Sequence, residues 1–440
     1  MSLSQPRNPL EKLLNLFTEV KPGEGVTAFL LFLNLFTLLT AYYMMKTVRE
    51  ALILVGGGAE VKSYAAAGQA LLLLGAVPLY SFLASKLSRR KLINAVTIFF
   101  SACLGLFYIL AQFEFPLGVI FYLWVGIFSL MVIAQFWAFA NDIYSPEEGK
   151  RLFVIVAFGA SAGSVFGSFL AGLLVKPIGV YQLLLVSGFL LLFSLILTNI
   201  IDSRSKTKIK ESNTTQSIDE PLDKTGAYKL LFQSKYLLLI AFLLFLLNWV
   251  NTTGEYILGR TVSNAAIEAV TSGKSGGLTE GQYIGKFYAD FFTIVNLVGV
   301  LTQLFIVSRI LKFLGVKIAL LVLPVIAFGG YFIMAFFPLL SAIRWAKTVE
   351  NSTDYSLQNT VRQVLFLPTT REEKYKAKQA IDTLFVRAGD VLSALVVYLG
   401  TTYFAFQIKQ FALFNICLVF VWIIISIFIG IEYKKLVNKY

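Results

Sequence analysis

Uncharged apolar runs of about 20 residues recur from one end of this 440-residue chain to the other. A helix needs about 20 such residues to cross roughly 30 Å of hydrocarbon. We therefore predict an all-α polytopic membrane protein. Its twelve transmembrane helices are expected at residues 26–55, 63–85, 92–112, 116–140, 152–175, 179–201, 236–259, 283–308, 316–337, 338–366, 377–401 and 409–431.

Lysine and arginine are distributed unevenly between the predicted loops. With the N-terminus in the cytoplasm, 26 of the 38 Lys and Arg residues fall on the cytoplasmic side and five on the outer side. Cytoplasmic loops carry such an excess, so we expect both termini in the cytoplasm. No small-residue cleavage site follows the first span, which we therefore expect to be retained. The net charge of +13 then reflects topology and gives no support to a nucleic-acid partner.

A polar, charged segment divides the predicted spans into two groups of six. We predict an N-terminal six-helix bundle over 1–201, a cytoplasmic linker over 202–235 and a C-terminal six-helix bundle over 236–440. NLFTLLTAYYMMKTV from Asn34 aligns without gaps with NWVNTTGEYILGRTV from Asn248, which indicates a repeat. Parallel six-helix repeats around a central cavity are the architecture of major facilitator transporters, so we predict a major-facilitator-like fold.

The amino-acid composition excludes several kinds of chemistry. The chain has no histidine, which rules out histidine metal sites, histidine proton relays and Ser-His triads. Its two cysteines, Cys103 and Cys417, lie far apart in apolar spans, so no disulfide framework is expected. The GKS at 273–275 lacks the upstream glycine of a P-loop, because Glu268 stands there. We predict a protein that is not an enzyme and has no catalytic residue, metal site or cofactor.

Charges interrupt the first apolar helix at AYYMMKTVREALILV, residues 41–55. A Lys or Arg at the centre of a span costs about 2.5–3.5 kcal/mol, so it needs water or a partner. Tyr42, Lys46, Arg49 and Glu50 fall within about 100° of arc on one helix face. One interpretation is an interfacial group with a local Lys46–Glu50 pair. The other is a cavity face on which Lys46 and Arg49 bind an anion.

Polar stripes also run along spans seven, ten and eleven. The stripe in span seven is either hydrogen-bonded packing or a cavity wall, and consists of Asn248, Asn251, Thr252, Glu255 and Gly259. The stripe in span ten extends over roughly 27 Å and must line water or pair with another helix. Its members are Arg344, Lys347, Asn351, Asp354, Tyr355, Gln358 and Arg362. Span eleven supplies Lys378, Asp382, Arg387 and Asp390. We expect half of these charges to form salt bridges that gate or lock the bundle.

Glycine recurs at every fourth position in span five, at Gly159, Gly163 and Gly167. Small residues at this spacing let two helix backbones approach closely in a membrane. The pattern predicts a helix-packing face here.

Two long stretches resemble a known family. They are FWAFANDIYSPEEGKRLFVIVAFGASAGSVFGS and NSTDYSLQNTVRQVLFLPTTREEKYKAKQAIDTLFVRAGD, and both are similar to the bacterial and plastid-type ATP/ADP translocases. The second follows the family runs S-T-x-Y-S-L, aromatic-(I/L)-P, E-x-K-x-K-x-K-x-A-I-D and R-x-G. KTVREAL, Gln303 and Pro324 also fit, and the resemblance covers most of the chain. It implies a major-facilitator-like carrier of the bacterial inner membrane that exchanges ATP for ADP or imports nucleotides with protons.

The resemblance also implies roles for the charged residues. Lys46, Arg49, Glu255 and the basic residues of span ten would serve the phosphates. We further hypothesise that an aromatic such as Tyr42, Tyr43 or Tyr256 stacks on the base. The predicted substrate-binding residues are Lys46, Arg49, Tyr42, Asn248, Glu255, Arg344, Lys347, Asn351 and Tyr355. The predicted gating or coupling residues are Glu50, Asp354, Arg362, Asp382, Arg387 and Asp390.

The sequence departs from the family pattern at two places. Arg362 and Gln363 stand where the family usually has Lys-Glu, and GDVLS from Gly389 replaces GKSGG, so Asp390 takes the place of a lysine. The expected partners are a small anionic substrate, with a nucleotide favoured, and the bilayer, and we expect a monomer. A carrier of another organic anion, or a proton-coupled importer using Glu255 or Asp382, is the alternative. A non-transporting membrane scaffold is the alternative from another class.

Overall fold

The computed structural model describes residues 8–15, 18–209, 231–370, 373, 378 and 381–437, and these form helices and connections with no strand. The helices are α1 Pro9–Leu14, α2 Gly25–Lys86, α3 Arg89–Ala111, α4 Gly118–Ile143, α5 Pro146–Ile178, α6 Gln182–Ile209, α7 Lys235–Thr271, α8 Glu280–Thr302, α9 Ser308–Phe313, α10 Gly315–Phe336, α11 Leu340–Thr353, α12 Asn359–Leu365, α13 Val386–Thr402 and α14 Ile408–Val437. Where the structure gives full bounds, π-helical turns join or extend these helices: π1 Gln303–Val307, π2 Asp354–Gln358 and π3 Ile381–Phe385.

Nine segments of the described chain are long and apolar enough to cross a membrane. They confirm the all-helical membrane architecture, while the count of twelve spans stays a prediction. The first two predicted spans both lie in α2, where we expected a loop over 56–62. The structure instead has a kink at Gly58, whose φ of 74° lies in a region open to glycine because it has no Cβ. The described residues of the predicted spans ten and eleven are largely helical but are not among the nine.

The chain packs into two compact units, which do not follow a single cut in the sequence. Unit 1 comprises Met1–Leu52, Leu72–Ser217 and Gly281–Thr293, and unit 2 comprises Ile53–Leu71, Ile218–Glu280 and Ile294–Tyr440. The predicted division into bundles at 202–235 stays a prediction. Of that predicted linker, the stretch through Ile209 continues helix α6, and residues 210–230 lie outside the described part of the chain.

Within unit 1, α2 and α5 touch backbone to backbone. A Cβ on Gly167 would lie 2.7 Å from the Cα of Thr40, and one on Gly163 would lie 2.9 Å from the Cα of Phe36. Only glycine allows this approach, because real Cβ contacts are essentially never shorter than 3.0 Å. The predicted role of these glycines in helix packing is therefore confirmed.

The N-terminal segment of unit 1 is attached to the start of α5. A capping box between Asn8 and Glu11 begins α1, since each side chain accepts a hydrogen bond from the other residue's backbone N–H. Arg151 of α5 donates to both carboxylate oxygens of Glu24, at 2.8 and 3.1 Å. Burial acts to raise the pKa of Glu24, but the hydrogen bond from Arg151 and the backbone N–H of Lys21 outweigh it and lower the pKa below its usual 4.5.

Within unit 2, α7 packs against α11, α13 and α14, and α10 packs against α11 and α14. A Cβ on Gly389 of α13 would lie 2.9 Å from the backbone O of Phe245 and the backbone N of Trp249, both on α7. In each unit, glycine in the fifth predicted span of one half of the chain thus contacts the first predicted span of the same half. This shared feature agrees with the repeat predicted from Asn34 and Asn248.

Candidate functional site

Unit 2 contains a cavity of about 400 Å³ beside α7, π2 and α12. This is within the usual size of a small-molecule site. Seven of its ten lining residues have polar side chains, and the wall consists of Leu244, Leu247, Asn248, Asn251, Asp354, Tyr355, Gln358, Asn359, Arg362 and Val386. A cavity with this lining can bind a polar molecule through hydrogen bonds to amides and one guanidinium.

The polar stripe predicted for span ten divides into two parts. Asp354, Tyr355, Gln358 and Arg362 line the cavity, whereas Lys347 and Asn351 contact other residues of unit 2. The cavity-lining part begins with the π2 turn, which contains Asp354, Tyr355 and Gln358 and carries one more residue per hydrogen-bonded turn than an α-helix. The downstream residues therefore take a different register from the one that a uniform α-helix predicts.

Lys347 is a fully buried cation at the centre of a polar network. Its Nζ donates to the Oδ1 of Asn251 at 2.9 Å and lies 3.2 Å from Glu350 and 3.7 Å from Glu255. The hydroxyl of Tyr331 donates to the other oxygen of Glu350 at 3.2 Å. A charge this deep in the protein needs such partners, because burying it alone would cost several kcal/mol.

Glu255 joins this network to the part of α2 that belongs to unit 2. Asn351 donates to Glu255 at 3.1 Å, and the Nζ of Lys62 lies 3.8 Å from it. We expected Lys62 in an outer loop, but it lies in α2 and is only 6% exposed. Glu255 therefore contacts two ammonium groups, those of Lys62 and Lys347.

A second cluster lies further along α7. The hydroxyl of Tyr256 donates to Glu60 at 2.8 Å and accepts from Arg260 at the same distance. Tyr256 is 1% exposed, so its ring is packed inside unit 2. We assigned Arg260 to an outer loop, whereas it extends the helix and also donates to the backbone O of Phe406 at 3.2 Å.

Asp390 bonds α13 to α7. One of its oxygens accepts from Asn248 and from Thr252, both at 2.8 Å, and the other lies 3.3 Å from Arg387. The carboxylate that stands where the family has a lysine is thus held by three donors. A further pair joins Arg362 and Asp382.

The cations of span one lie in unit 1 among aromatic rings. Lys46 Nζ is 4.2 Å from the ring centre of Phe292, and the guanidinium of Arg49 is 4.6 Å from that of Tyr122. Such cation–π contacts are worth about 0.5–2 kcal/mol. Glu50 forms an ion pair with Arg49, although the first interpretation of this stretch paired it with Lys46.

The predicted aromatic ligand Tyr42 packs against Phe128, with 6.3 Å between ring centres. Arg344 is half-buried on α11 and is not one of the residues that line the cavity. The roles predicted for these residues stay predictions.

Sequence reasoning missed Glu350, Lys62 and Glu60. Glu350 lies three residues after Lys347 on one helix, a spacing that places two side chains together, so this pair could have been found. Lys62 and Glu60 gave no such signal, because their partners come from another helix.

Comparison with known families gives a match to the Major Facilitator Superfamily over residues 25–349. The chain is 21% identical to ADP,ATP carrier protein 2 of Chlamydia pneumoniae, with 94% of this chain and 93% of the relative covered. It is 24% identical to ADP,ATP carrier protein 1 of the same organism, covering 61% and 57%, and 23% identical to ADP,ATP carrier protein 5 of Rickettsia bellii, covering 62% and 59%. The matches to these last two thus span less than two thirds of each relative.

Solved transporter structures share the fold. The nucleoside transporter NupG superposes with a TM-score of 0.64 at 13% identity, covering 91% of this chain and 98% of that one. A POT family transporter in complex with 5-aminolevulinic acid gives a TM-score of 0.65 at 12% identity, covering 93% and 96%.

Proposed function

Because the chain belongs to the Major Facilitator Superfamily, we propose that it is a membrane carrier that exchanges nucleotides by alternating access. The likeness to carriers named for ADP and ATP over 94% of the chain supports a nucleotide as the substrate. The polar cavity of unit 2 is the observation on which the proposal depends, because a membrane protein without cargo has little reason to keep such a cavity between its helices.

Lys46 and Arg49 are the proposed phosphate ligands within unit 1. Arginine and lysine suit a polyanion, since their charge and donors match phosphate oxygens. Both lie in an apolar helix where a cation is costly, and the aromatic contacts described above offset only part of that cost. Glu50 neutralises one positive charge of the group.

Uptake into proteoliposomes tests the proposal. Vesicles loaded with ADP should take up labelled ATP, empty vesicles should take up little, and added nucleotides should compete. Lys46→Ala and Arg49→Ala should each weaken substrate affinity by roughly 10- to 150-fold, the usual effect of losing one charged hydrogen bond. Lys286→Ala is the matched control, since Lys286 is a half-exposed cation of the same unit. Competition only by anions that are not nucleotides would refute the substrate assignment, and no exchange with any anion would refute the carrier.

The proposed location is the bacterial inner membrane, with both termini in the cytoplasm. The excess of Lys and Arg in alternate loops and the bacterial relatives support it.

A further inference from the structure

Gln358 is an unusual residue in the wall of the unit 2 cavity. Its side chain is 1% exposed, and neither its Oε1 nor its Nε2 has a hydrogen-bond partner. Buried polar atoms are nearly always hydrogen-bonded, so a buried amide with both ends unpaired needs an explanation. Each of the two atoms exposes less than 1 Å², but the residue lines the cavity, so a rotation of the amide toward the cavity would let a bound molecule pair with both atoms.

Two other amides at the cavity, Asn248 and Asn251, differ from Gln358. Asn248 donates to Asp390 and to the backbone O of Val386, and the Oδ1 of Asn251 accepts from Lys347. These amides hold the helices together. Gln358 makes no such bond, although it is the more deeply buried side chain.

The π2 turn explains why Gln358 lies at the cavity. It places Tyr355 and Gln358 on the cavity wall, together with Asn359 immediately after it. Tyr355 is 44% exposed, which leaves much of its ring open to a planar ligand. Single π-helical turns within α-helices are frequent at functional sites.

A side-chain amide presents one donor and one acceptor side by side. Adenine offers the complementary pair, the N6 amino donor next to the N7 acceptor, and glutamine binds it through two hydrogen bonds. The same edge of guanine offers two acceptors, O6 and N7, so one of them would face the amide oxygen. An amide at this position therefore selects adenine over guanine.

We propose that Gln358 reads the base edge of an adenine nucleotide in the unit 2 cavity and that Tyr355 stacks on the base. This inference rests on the proposed function, since it specifies how unit 2 recognises a nucleotide. One good bidentate contact of this kind changes the preference between bases by roughly 5- to 150-fold.

Equilibrium binding of ATP and GTP to the full chain in nanodiscs tests the assignment. Wild-type protein should bind ATP more tightly than GTP by a factor in that range. Gln358→Leu should bring the ratio of the two dissociation constants close to one. Gln358→Glu presents two acceptors and should also abolish the preference for ATP, because it matches the N1–H and N2 amino donors of guanine. Tyr355→Leu should weaken both ligands alike.

Gln363→Leu is the matched control, because this amide lies one turn later in α12, bonds to Lys378 and does not line the cavity. It should leave the ratio unchanged. A wild-type preference that survives both Gln358 variants, or a wild-type protein that binds ATP and GTP equally, would overturn the role of Gln358 and leave the carrier intact. A wild-type protein that binds neither nucleotide would overturn the proposed function itself.

Discussion

Removing the buried cation Lys347 should destabilise unit 2 strongly. Three partners lie within 3.7 Å of its Nζ: Asn251, Glu350 and Glu255. Lys347→Met keeps the volume of the side chain but leaves the two carboxylates without this ammonium group. Breaking one side of a buried ion pair typically costs about 3–5 kcal/mol, and we expect a loss of unfolding free energy in that range.

A second substitution separates charge from packing. The double variant Lys347→Met/Glu350→Gln also replaces the carboxylate nearest to the missing cation with a neutral amide. Tyr331 can still donate a hydrogen bond to the oxygen of that amide. The double variant should therefore lose less stability than the sum of the single variants, by about 0.5–3 kcal/mol.

The free energy of unfolding can be measured by titrating detergent-solubilised protein with SDS and following the loss of helix by circular dichroism. Lys286→Met provides the control, because its pair with Asp290 is half-exposed and such pairs contribute about 1 kcal/mol or less. Stability of Lys347→Met equal to that of wild type, or strict additivity in the double variant, would contradict the reasoning.

Three further predictions follow from other parts of the chain. Gly163→Ala should destabilise the contact between α2 and α5 by about 1–3 kcal/mol in the same SDS titration. Gly105→Ala in α3 is the control and should be neutral or slightly stabilising, because the new Cβ would meet no atom within 4 Å. Equal effects of the two substitutions would refute the packing role of Gly163. Because the pKa of Glu24 is lowered in the fold, its ion pair with Arg151 stabilises the fold above about pH 4.5, and this stabilisation is lost as the pH falls through the lowered pKa. Glu24→Gln should therefore flatten the acid side of the curve of melting temperature against pH. The control Glu147→Gln should leave that curve unchanged. Single cysteines at Ser212 and Gly276 should react with an impermeant thiol reagent from opposite sides of the membrane, and labelling from one side would refute the topology.

The sequence was sufficient to predict an all-helical membrane protein and one helix contact. Long apolar runs report membrane helices directly, because hydrocarbon leaves the backbone no other partner. The spacing of Gly159, Gly163 and Gly167 predicted a close contact for the same local reason, and the structure confirms it.

The site could be predicted only in part. A helical-wheel argument placed Tyr355 and Arg362 on one face with Lys347, but it assumed 3.6 residues per turn throughout, and the π2 turn breaks that period. The ion pair of Lys62 with Glu255 could not be predicted from the sequence. An ion pair between helices that are distant in sequence depends on how the helices pack, and no repeating sequence pattern reports it.

The π2 turn has a consequence for how such a carrier can diverge. A π-helical turn holds one residue more than an α-helical turn, so deleting a single residue within Asp354–Gln358 would restore a regular α-helix. The helix that follows, including Asn359 and Arg362, would keep about its present orientation relative to α11, because the residue removed is the one that the π turn absorbs. One in-frame deletion of a codon could in this way change the side chains that the turn itself presents to the cavity while leaving the rest of the helix and the apolar spans untouched. A change of cargo could thus arise in one mutational step, without passing through a series of point substitutions.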